Sequence, residues 1–447
     1  MNSDTAGPGG GEGSAASALA PVRPGERISH IDTLRGVAVL GILVMNIYAF
    51  AMPFVAYQNP LAYGGTEWFN LGTWFVTHIL FDQKFMTIFS ILFGAGLILM
   101  KDRAEARGKG YTGVWYRRNF WLLLIGMLHG YLLWFGDILF HYALVGMLVF
   151  LFRNRSPRTL VIVAGVLLPI GMMMAVAGGT YMHKLQAQGV EVQELVDAGE
   201  ELTAEQQEIL TEWEQASIFM KPPNEQVAED LAAYQGGYAG IVQHRAPTVV
   251  MMQTQGTIGF VIWRVGALML LGMALMKLGI LSGSRSDEFY RRMMVVGYGL
   301  GIPIMLFSAW NLNAHQWDML WMFQYGGLPN YVGSLFVACG HIGLVMTIVN
   351  EGLLAGLMAR FAAVGRMAFT NYLMHSLVMT TLFYGYGAGL YGAVPRAWQM
   401  AFVAGMLGFQ LWFSPWWLAR FRFGPMEGLW RSLTYWRLQP MRIASTQ

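Results

Sequence analysis

The chain has 447 residues, of which 55% are hydrophobic and 12% charged, about half the roughly 25% charged share of soluble domains. A formal net charge of +3 gives no support to nucleic-acid binding, and a single cysteine, Cys339, excludes an intramolecular disulfide. Apolar runs recur from near residue 34 to residue 417 at lengths close to the ~20 residues a helix needs to cross a bilayer. The composition therefore predicts an all-α, polytopic membrane helical bundle.

In chain order, residues 1–27 are rich in Gly, Ala, Ser and Pro and read as a disordered tail with no cleavable signal peptide. Candidate spans are 34–52, 84–101, 119–135, 138–152, 159–179, 257–280, 293–310, 331–350, 368–388 and 397–417, about ten transmembrane helices. The stretch 66–83 reads as an interfacial helix feeding the second span. Residues 181–256 interrupt the apolar pattern. They are acidic and helix-prone from Glu191 to Glu214, broken at Lys221-Pro222-Pro223, and helical again over 224–235, so they predict a helical cap. The expected divisions are the tail 1–27, a bundle over 28–180 holding the site, the acidic insert 181–256, a second bundle over 257–417, and a basic aromatic tail over 418–447.

Lys and Arg concentrate in alternate loops. Loop 101–118 carries Lys101, Arg103, Arg107, Lys109, Arg117 and Arg118; 153–158 carries Arg153, Arg155 and Arg158; and 281–292 carries Arg285, Arg291 and Arg292. Loops 53–67 and 311–330 carry neither residue type. Because basic loops stay in the cytoplasm, both termini are expected to be cytoplasmic and the insert extracytoplasmic.

Ionisable groups inside a bilayer cost several kcal/mol unless paired, so they mark candidate sites. At ~1.5 Å of rise per residue, Asn46, His78, Asp82, His129, Asp137 and His141 are expected near one depth, towards the outer face. His78 and Asp82 are four apart, as are Asp137 and His141, so each pair shares a helix face. A carboxylate beside a His fixes its tautomer and raises its basicity, which suits a general base, and Asn46 could donate to a developing oxyanion. His315 and His341 read as packing residues. Arg264 either snorkels outward or holds an anionic group or Asp82. Near the opposite face, Arg35 and Arg366 with Thr370, Asn371 and His375 could meet a ligand entering from the cytoplasm, such as a nucleotide phosphate; ordinary inner-leaflet anchoring is the alternative for both arginines, and for Arg366 at least its equal. The basic aromatic run from Phe421 to Tyr435 reads as an interfacial anchor that could also dock back over the cytoplasmic mouth. The chain has no GxxxxGK[ST], no GxGxxG after a strand and no HExxH, and no metal is expected.

Four blocks carry a family resemblance: Ile31-Asp32-Thr33-Leu34-Arg35-Gly36 through Asn46; Lys84-Phe85 through Gly94; Gly126-Met127-Leu128-His129 with Gly136-Asp137-Ile138-Leu139; and Gly365 through Tyr372. With the ending Arg422-Phe423-Gly424-Pro425-Met426-Glu427 and Trp430-Arg431, the chain resembles the bacterial YeiB-like membrane proteins, a family of unknown function. That family is grouped with transmembrane acyltransferases such as heparan-glucosaminide acetyltransferase. The resemblance implies a protein of the bacterial inner membrane that moves an acyl group, from acyl-CoA (acetyl-CoA) in the cytoplasm, to a sugar or amine acceptor outside. It also implies a reaction role for Asn46. The catalytic His that follows the Asn in the acetyltransferase has no counterpart, since this chain reads Tyr57-Gln58-Asn59 there. His129 or His78 would have to take that part, with His129 oriented by Asp137. Membrane lipid is the other expected partner, and a homodimer is left open. A proton-coupled small-molecule transporter using the same His/Asp cluster is the alternative, and a non-catalytic membrane partner whose acidic insert recruits another protein is the third.

Overall fold

The computed structural model describes residues 29–217 and 223–443. The expected disordered tail, and Lys221-Pro222 of the expected helix break, lie outside the described residues. The described residues form helices without strands; Phe421 and Arg442 make an isolated β-bridge. The first six helices are α1 (Ser29–Ala51), α2 (Val55–Gln58), α3 (Trp68–Leu80), α4 (Lys84–Glu105), α5 (Thr112–Leu132) and α6 (Leu139–Val149). Next come α7 (Pro157–Asp197), α8 (Ala204–Ser217), α9 (Pro223–Tyr234), α10 (Tyr238–Met251), α11 (Ile262–Lys277) and α12 (Asp287–Ala314). The last six are α13 (Met319–Trp321), α14 (Leu328–Asn350), α15 (Ala355–Arg366), α16 (Ala368–Phe383), α17 (Arg396–Leu418) and α18 (Pro425–Tyr435).

Six helical stretches among the described residues are long and apolar enough to cross a membrane: 29–51, 68–105, 157–197, 238–277, 287–314 and 328–350. The other expected spans are helices of a different kind. α5 carries Arg117, Arg118 and Asn119 in its second turn, α6 has 11 residues, α16 has 16, and α17 buries Gln399, Gln410 and Ser414. Asn119, His129, Asn371, His375, Gln399, Gln410 and Ser414 on these four helices are buried inside the protein.

Two boundaries differ from the sequence reading. α7 runs unbroken through residue 181 to Asp197, because Ser156 caps its start and no breaker follows the apolar run until Gly199. α10 likewise continues through a π-helical stretch, Met252–Val261, into α11. The insert is thus built on extensions of two apolar helices. α8 packs along α7, where the Trp213 ring lies against Gly189. α9 and α10 cover the end of the bundle: Asp230 accepts from Phe54 N–H at 3.0 Å, and Arg245 Nε donates to Tyr131 O at 2.9 Å. Tyr234 stacks on Tyr391, 4.7 Å between centroids. α15 was not foreseen.

The centre of the bundle is α1, nearly every residue of which is buried. Where helices have no lipid between them, small residues let backbones touch. Gly36 of α1 lies against Phe361 O, and Gly365 of α15 lies against Asp32 O. α4 and α11 cross in the same way, Gly94 on Met269 O and Gly272 on Ile91 O.

Candidate functional site

α5 and α6 form a hairpin closed by two features. Gly126 allows the Phe140 backbone to pass directly against it. Asp137 accepts from Leu139 N–H at 2.9 Å and from Phe140 N–H at 3.4 Å, so it caps the first turn of α6, where negative charge is favoured. From the last turn of α5, His129 places Nδ1 3.6 Å from Asp137 Oδ1 and Nε2 2.7 Å from Ser376 Oγ on α16. At 3.6 Å the acid acts on the imidazole as a charge, without a hydrogen bond. All three side chains are buried. The Tyr372 ring lies 5.4 Å from the imidazole between centroids, with its hydroxyl accepting from Ile138 N–H at 3.3 Å.

A second network surrounds His78 and Asp82. His78 Nδ1 lies 3.3 Å from Asp82 Oδ2, and its Nε2 lies 3.1 Å from Ser308 Oγ. Asp82 accepts from Asn330 Nδ2 at 2.6 Å and from the Tyr57 hydroxyl at 3.4 Å. Lys84, fully buried, donates to His78 O at 2.7 Å and Asn330 Oδ1 at 3.0 Å. Apolar helices bring these groups together, so each charge has a partner where water is absent.

A cavity opens at the end of the bundle that carries the basic loops. It encloses about 260 Å³ between α1, α4, α5, α6, α15, α16 and α18. Arg35, Arg103, Arg107, Arg118, Arg366 and Arg431 line it, against the acids Asp32 and Glu427. Further in, the walls turn apolar and aromatic, ending at Leu139, Tyr142 and Tyr372. Tyr372 thus faces the cavity on one side and packs on His129 on the other.

α18 folds back over this end. Trp430 Nε1 donates to Arg118 O at 2.8 Å, and the Arg118 guanidinium lies 3.5 Å above the Trp430 ring. Glu427 caps α16 by accepting from Phe369 N–H at 2.8 Å, Thr370 N–H at 3.1 Å and the Thr370 hydroxyl at 2.6 Å. Burial pushes its carboxyl above the ordinary value, and the Thr370 and Phe369 donors oppose that push. Glu427→Ala should cost about 1–3 kcal/mol by leaving buried donors unpaired. The pH effect has a definite sign. With the folded value above the unfolded one, the stabilisation is complete below the unfolded carboxyl range and is lost as pH rises through the folded value. Melting wild type beside Glu427→Gln from about pH 4 to pH 8 should therefore show wild type losing ground as pH rises; a constant difference would contradict it.

Four of the six residues expected at one depth divide between these networks. His129 meets Asp137, and His78 meets Asp82. The expected side-chain pairing of Asp137 with His141 does not form. Asp137 is committed to the start of α6, and His141 instead places Nδ1 3.2 Å from Asp137 O and Nε2 3.0 Å from Met252 O. Asn46 is partly accessible and has no side-chain hydrogen bond to the described residues. It lies eleven residues after Arg35, three turns up the same face of α1, with Val39 of that face packed among Leu139 and Tyr372.

On the other side, Arg35 and Arg366 line the cavity, whereas Asn371 and His375 do not. Asn371 donates to Val364 O and Ser414 Oγ, each at 3.1 Å, and His375 Nε2 lies 2.8 Å from Gln410 Oε1, so both tie α16 to α17. Arg264 does not snorkel. It is fully buried, donating to Tyr331 O at 2.8 Å and Ser334 Oγ at 2.7 Å. His341 bridges Tyr298 and Leu80 O. Among the described residues, no three His, Cys, Asp or Glu side chains converge as metal ligands would. Sequence reasoning missed Ser376, Lys84 and the cavity roles of Arg103, Arg107 and Arg118. Ser376 carries no signal of its own in the sequence; the basic loop did, but it read as an orientation signal alone.

Residues 275–437 match the family model described as a protein of unknown function (DUF418). The uncharacterized protein YxaH of Bacillus subtilis (strain 168) is 31% identical over 443 residues, 95% of this chain and 98% of the relative. The uncharacterized protein YeiB of Escherichia coli (strain K12) is 32% identical over 416 residues, 92% of this chain and 96% of the relative. An uncharacterized 39.9 kDa protein in the amylase 3' region of Bacillus acidopullulyticus is 23% identical over 424 residues. No solved structure gives a significant match.

Proposed function

Since the chain belongs to the YeiB-like family, whose members carry no assigned activity, we propose on physical grounds that it is an integral-membrane acyltransferase. It would move an acyl group, acetyl in the first instance, from acyl-CoA to a hydroxyl or amine acceptor across the bacterial inner membrane. The observation that carries this reading is one continuous path. The cavity begins among six arginines, continues between apolar and aromatic walls, and reaches Tyr372, which packs on the imidazole of His129. Guanidinium groups match phosphate oxygens. A volume of about 260 Å³ is below the ~300–1,000 Å³ of pockets that enclose a whole small ligand, which suits the slender arm of a larger molecule.

In this reading the arginine end is cytoplasmic, both termini lie there, and α5, α6, α16 and α17 complete a ten-span bundle. The phosphates of CoA rest on the arginines and the thioester reaches inward. His129, held beside Asp137, accepts the proton of an attacking hydroxyl or amine, and Asn46 stabilises the oxyanion from the same face of α1 as Arg35. Incubating the purified protein with acetyl-CoA and following free thiol, with and without sugar or amine acceptors, tests the proposal. Absence of thiol release under every acceptor would defeat it. Arg103→Gln with Arg107→Gln should raise the KM for acetyl-CoA about tenfold per lost phosphate contact, while kcat holds. An unchanged KM would take these side chains out of the binding site.

The buried Lys84, bonded to Asn330 and one residue pair away from Asp82, favours a second reading: a proton-coupled transporter in which His78, Asp82 and Lys84 relay protons. Solute movement by the protein in CoA-free liposomes distinguishes the two.

A further inference from the structure

Ser376 lies on α16, 247 residues from His129 in sequence, and its Oγ is 2.7 Å from His129 Nε2. Both side chains are buried, so neither is solvated by bulk water. Among the described residues the Ser376 hydroxyl has no other side-chain or backbone hydrogen bond, and His129 Nδ1 has none at all. The Asp137 carboxylate, 3.6 Å from Nδ1, decides the tautomer. A lone pair on Nδ1 would face the anion, so the proton resides on Nδ1 and the lone pair on Nε2. The Ser376 hydroxyl then donates to that lone pair. This is the arrangement in which an imidazole activates a serine oxygen, with an acid orienting the imidazole from behind.

The position of Ser376 relative to the cavity gives that arrangement a purpose. Tyr372 and Ser376 are four apart on α16 and share one helix face, so the seryl oxygen lies roughly 6 Å, one turn, beyond the inner wall of the cavity. An acyl thioester threaded past the arginines arrives first at Tyr372, and displacement of that ring exposes Oγ. From the other direction, α9 and α10 cover the bundle end, with Tyr238 donating to Leu132 O at 2.8 Å and Arg245 donating to Tyr131 O. The serine is therefore enclosed between a donor cavity on one side and a helical cap on the other.

We propose that Ser376 is the nucleophile of a two-step transfer and carries the acyl group between donor and acceptor; this rests on the acyltransferase reading. In the first step Oγ attacks the thioester carbonyl while its proton passes to His129 Nε2. The carbon–oxygen bond forms, the carbon–sulfur bond breaks, and the imidazolium returns the proton to the departing thiolate, releasing CoA thiol. In the second step an acceptor hydroxyl or amine loses its proton to Nε2 and attacks the seryl ester. The bond from the acyl carbon to Oγ breaks, and the proton returns to Oγ. The two steps need no oxidant, reductant or metal. Because the donor can leave before the acceptor arrives, the two substrates need never share the buried space around His129.

The test uses the full chain, purified and monodisperse, with [14C]acetyl-CoA and no acceptor, quenched in acid within the first turnover. Wild type should release about one equivalent of thiol per chain in a burst and retain about one equivalent of label, which peptide mass spectrometry places on Ser376. Ser376→Ala should lose both the label and acceptor-dependent transfer, by about a thousandfold or more. Ser376→Cys keeps the size of the side chain and should trap the label as a thioester that neutral hydroxylamine cleaves, a change of bond chemistry that a packing role would not produce. If Ser376→Ala fails to fold, the cysteine variant decides. Label on another residue, or an alanine variant that transfers at the wild-type rate, overturns the proposal and leaves the acyltransferase reading standing. So does a wild type that transfers the acyl group while neither it nor the cysteine variant ever holds label. A wild type that releases no thiol from acetyl-CoA under any acceptor defeats both.

Discussion

Replacing His129 by alanine should lower acyl transfer by about a thousandfold or more, with the protein still folded and monodisperse. Among the described residues Nε2 is the hydrogen-bond partner of Ser376 Oγ, and Tyr372 connects it to the cavity. Asp137→Asn is the sharper variant. An asparagine keeps a carbonyl oxygen for Leu139 N–H, so the start of α6 remains capped. It removes the charge that holds the proton on Nδ1, and its own NH2 group then favours the opposite tautomer. Activity should fall about as steeply as with the alanine variant, while melting temperature shifts little. Turnover at the wild-type rate in either variant would remove that residue from the mechanism. A Tyr372→Phe control keeps the ring on His129 and should preserve most of the rate.

The largest structural effect is expected at the crossing of α4 and α11. Gly94→Leu should yield no folded protein, a loss beyond about 4 kcal/mol. A Cβ on Gly94 runs into the carbonyl of Met269, and one on Gly272 into the carbonyl of Ile91. Backbone atoms inside a helix cannot step aside as a flexible side chain does, so the helices would have to separate along their length. Gly299→Ala makes a suitable control, because a Cβ there meets no atom within 4 Å and alanine is the better helix former. Membrane yield and elution profile after detergent extraction read both outcomes. A monodisperse Gly94→Leu protein would mean that these helices do not cross at this point.

The sequence was most legible where the physics is local. Spans reveal themselves because every backbone group must bond within its own helix, so the apolar run and the helix coincide; 34–52 and 331–350 match α1 and α14 closely. His78 lies in the last turn of α3 and Asp82, four residues on, in the turn that follows, and the two meet at 3.3 Å. The same spacing misled at Asp137 and His141. There the first N–H groups of α6 compete for the carboxylate and win, because they are fixed in place and have no other acceptor. The boundary at 181 was misread for a related reason: polar composition begins there, but nothing in residues 181–197 stops a helix.

By itself the sequence determined that the chain is helical, with apolar helices long enough to cross a membrane, and which of its loops are basic. Composition, length and charge placement act along the chain, residue by residue. The tertiary structure decided what those residues face. Ser376 is brought to His129 across 247 residues, and six arginines from loops, spans and the last helix converge on one cavity. Asn371 and His375 turn away from that cavity towards α17. Such choices depend on how helices cross, and the crossings are set by close approaches such as Gly36 on Phe361 and Gly94 on Met269, contacts between segments that no local pattern records.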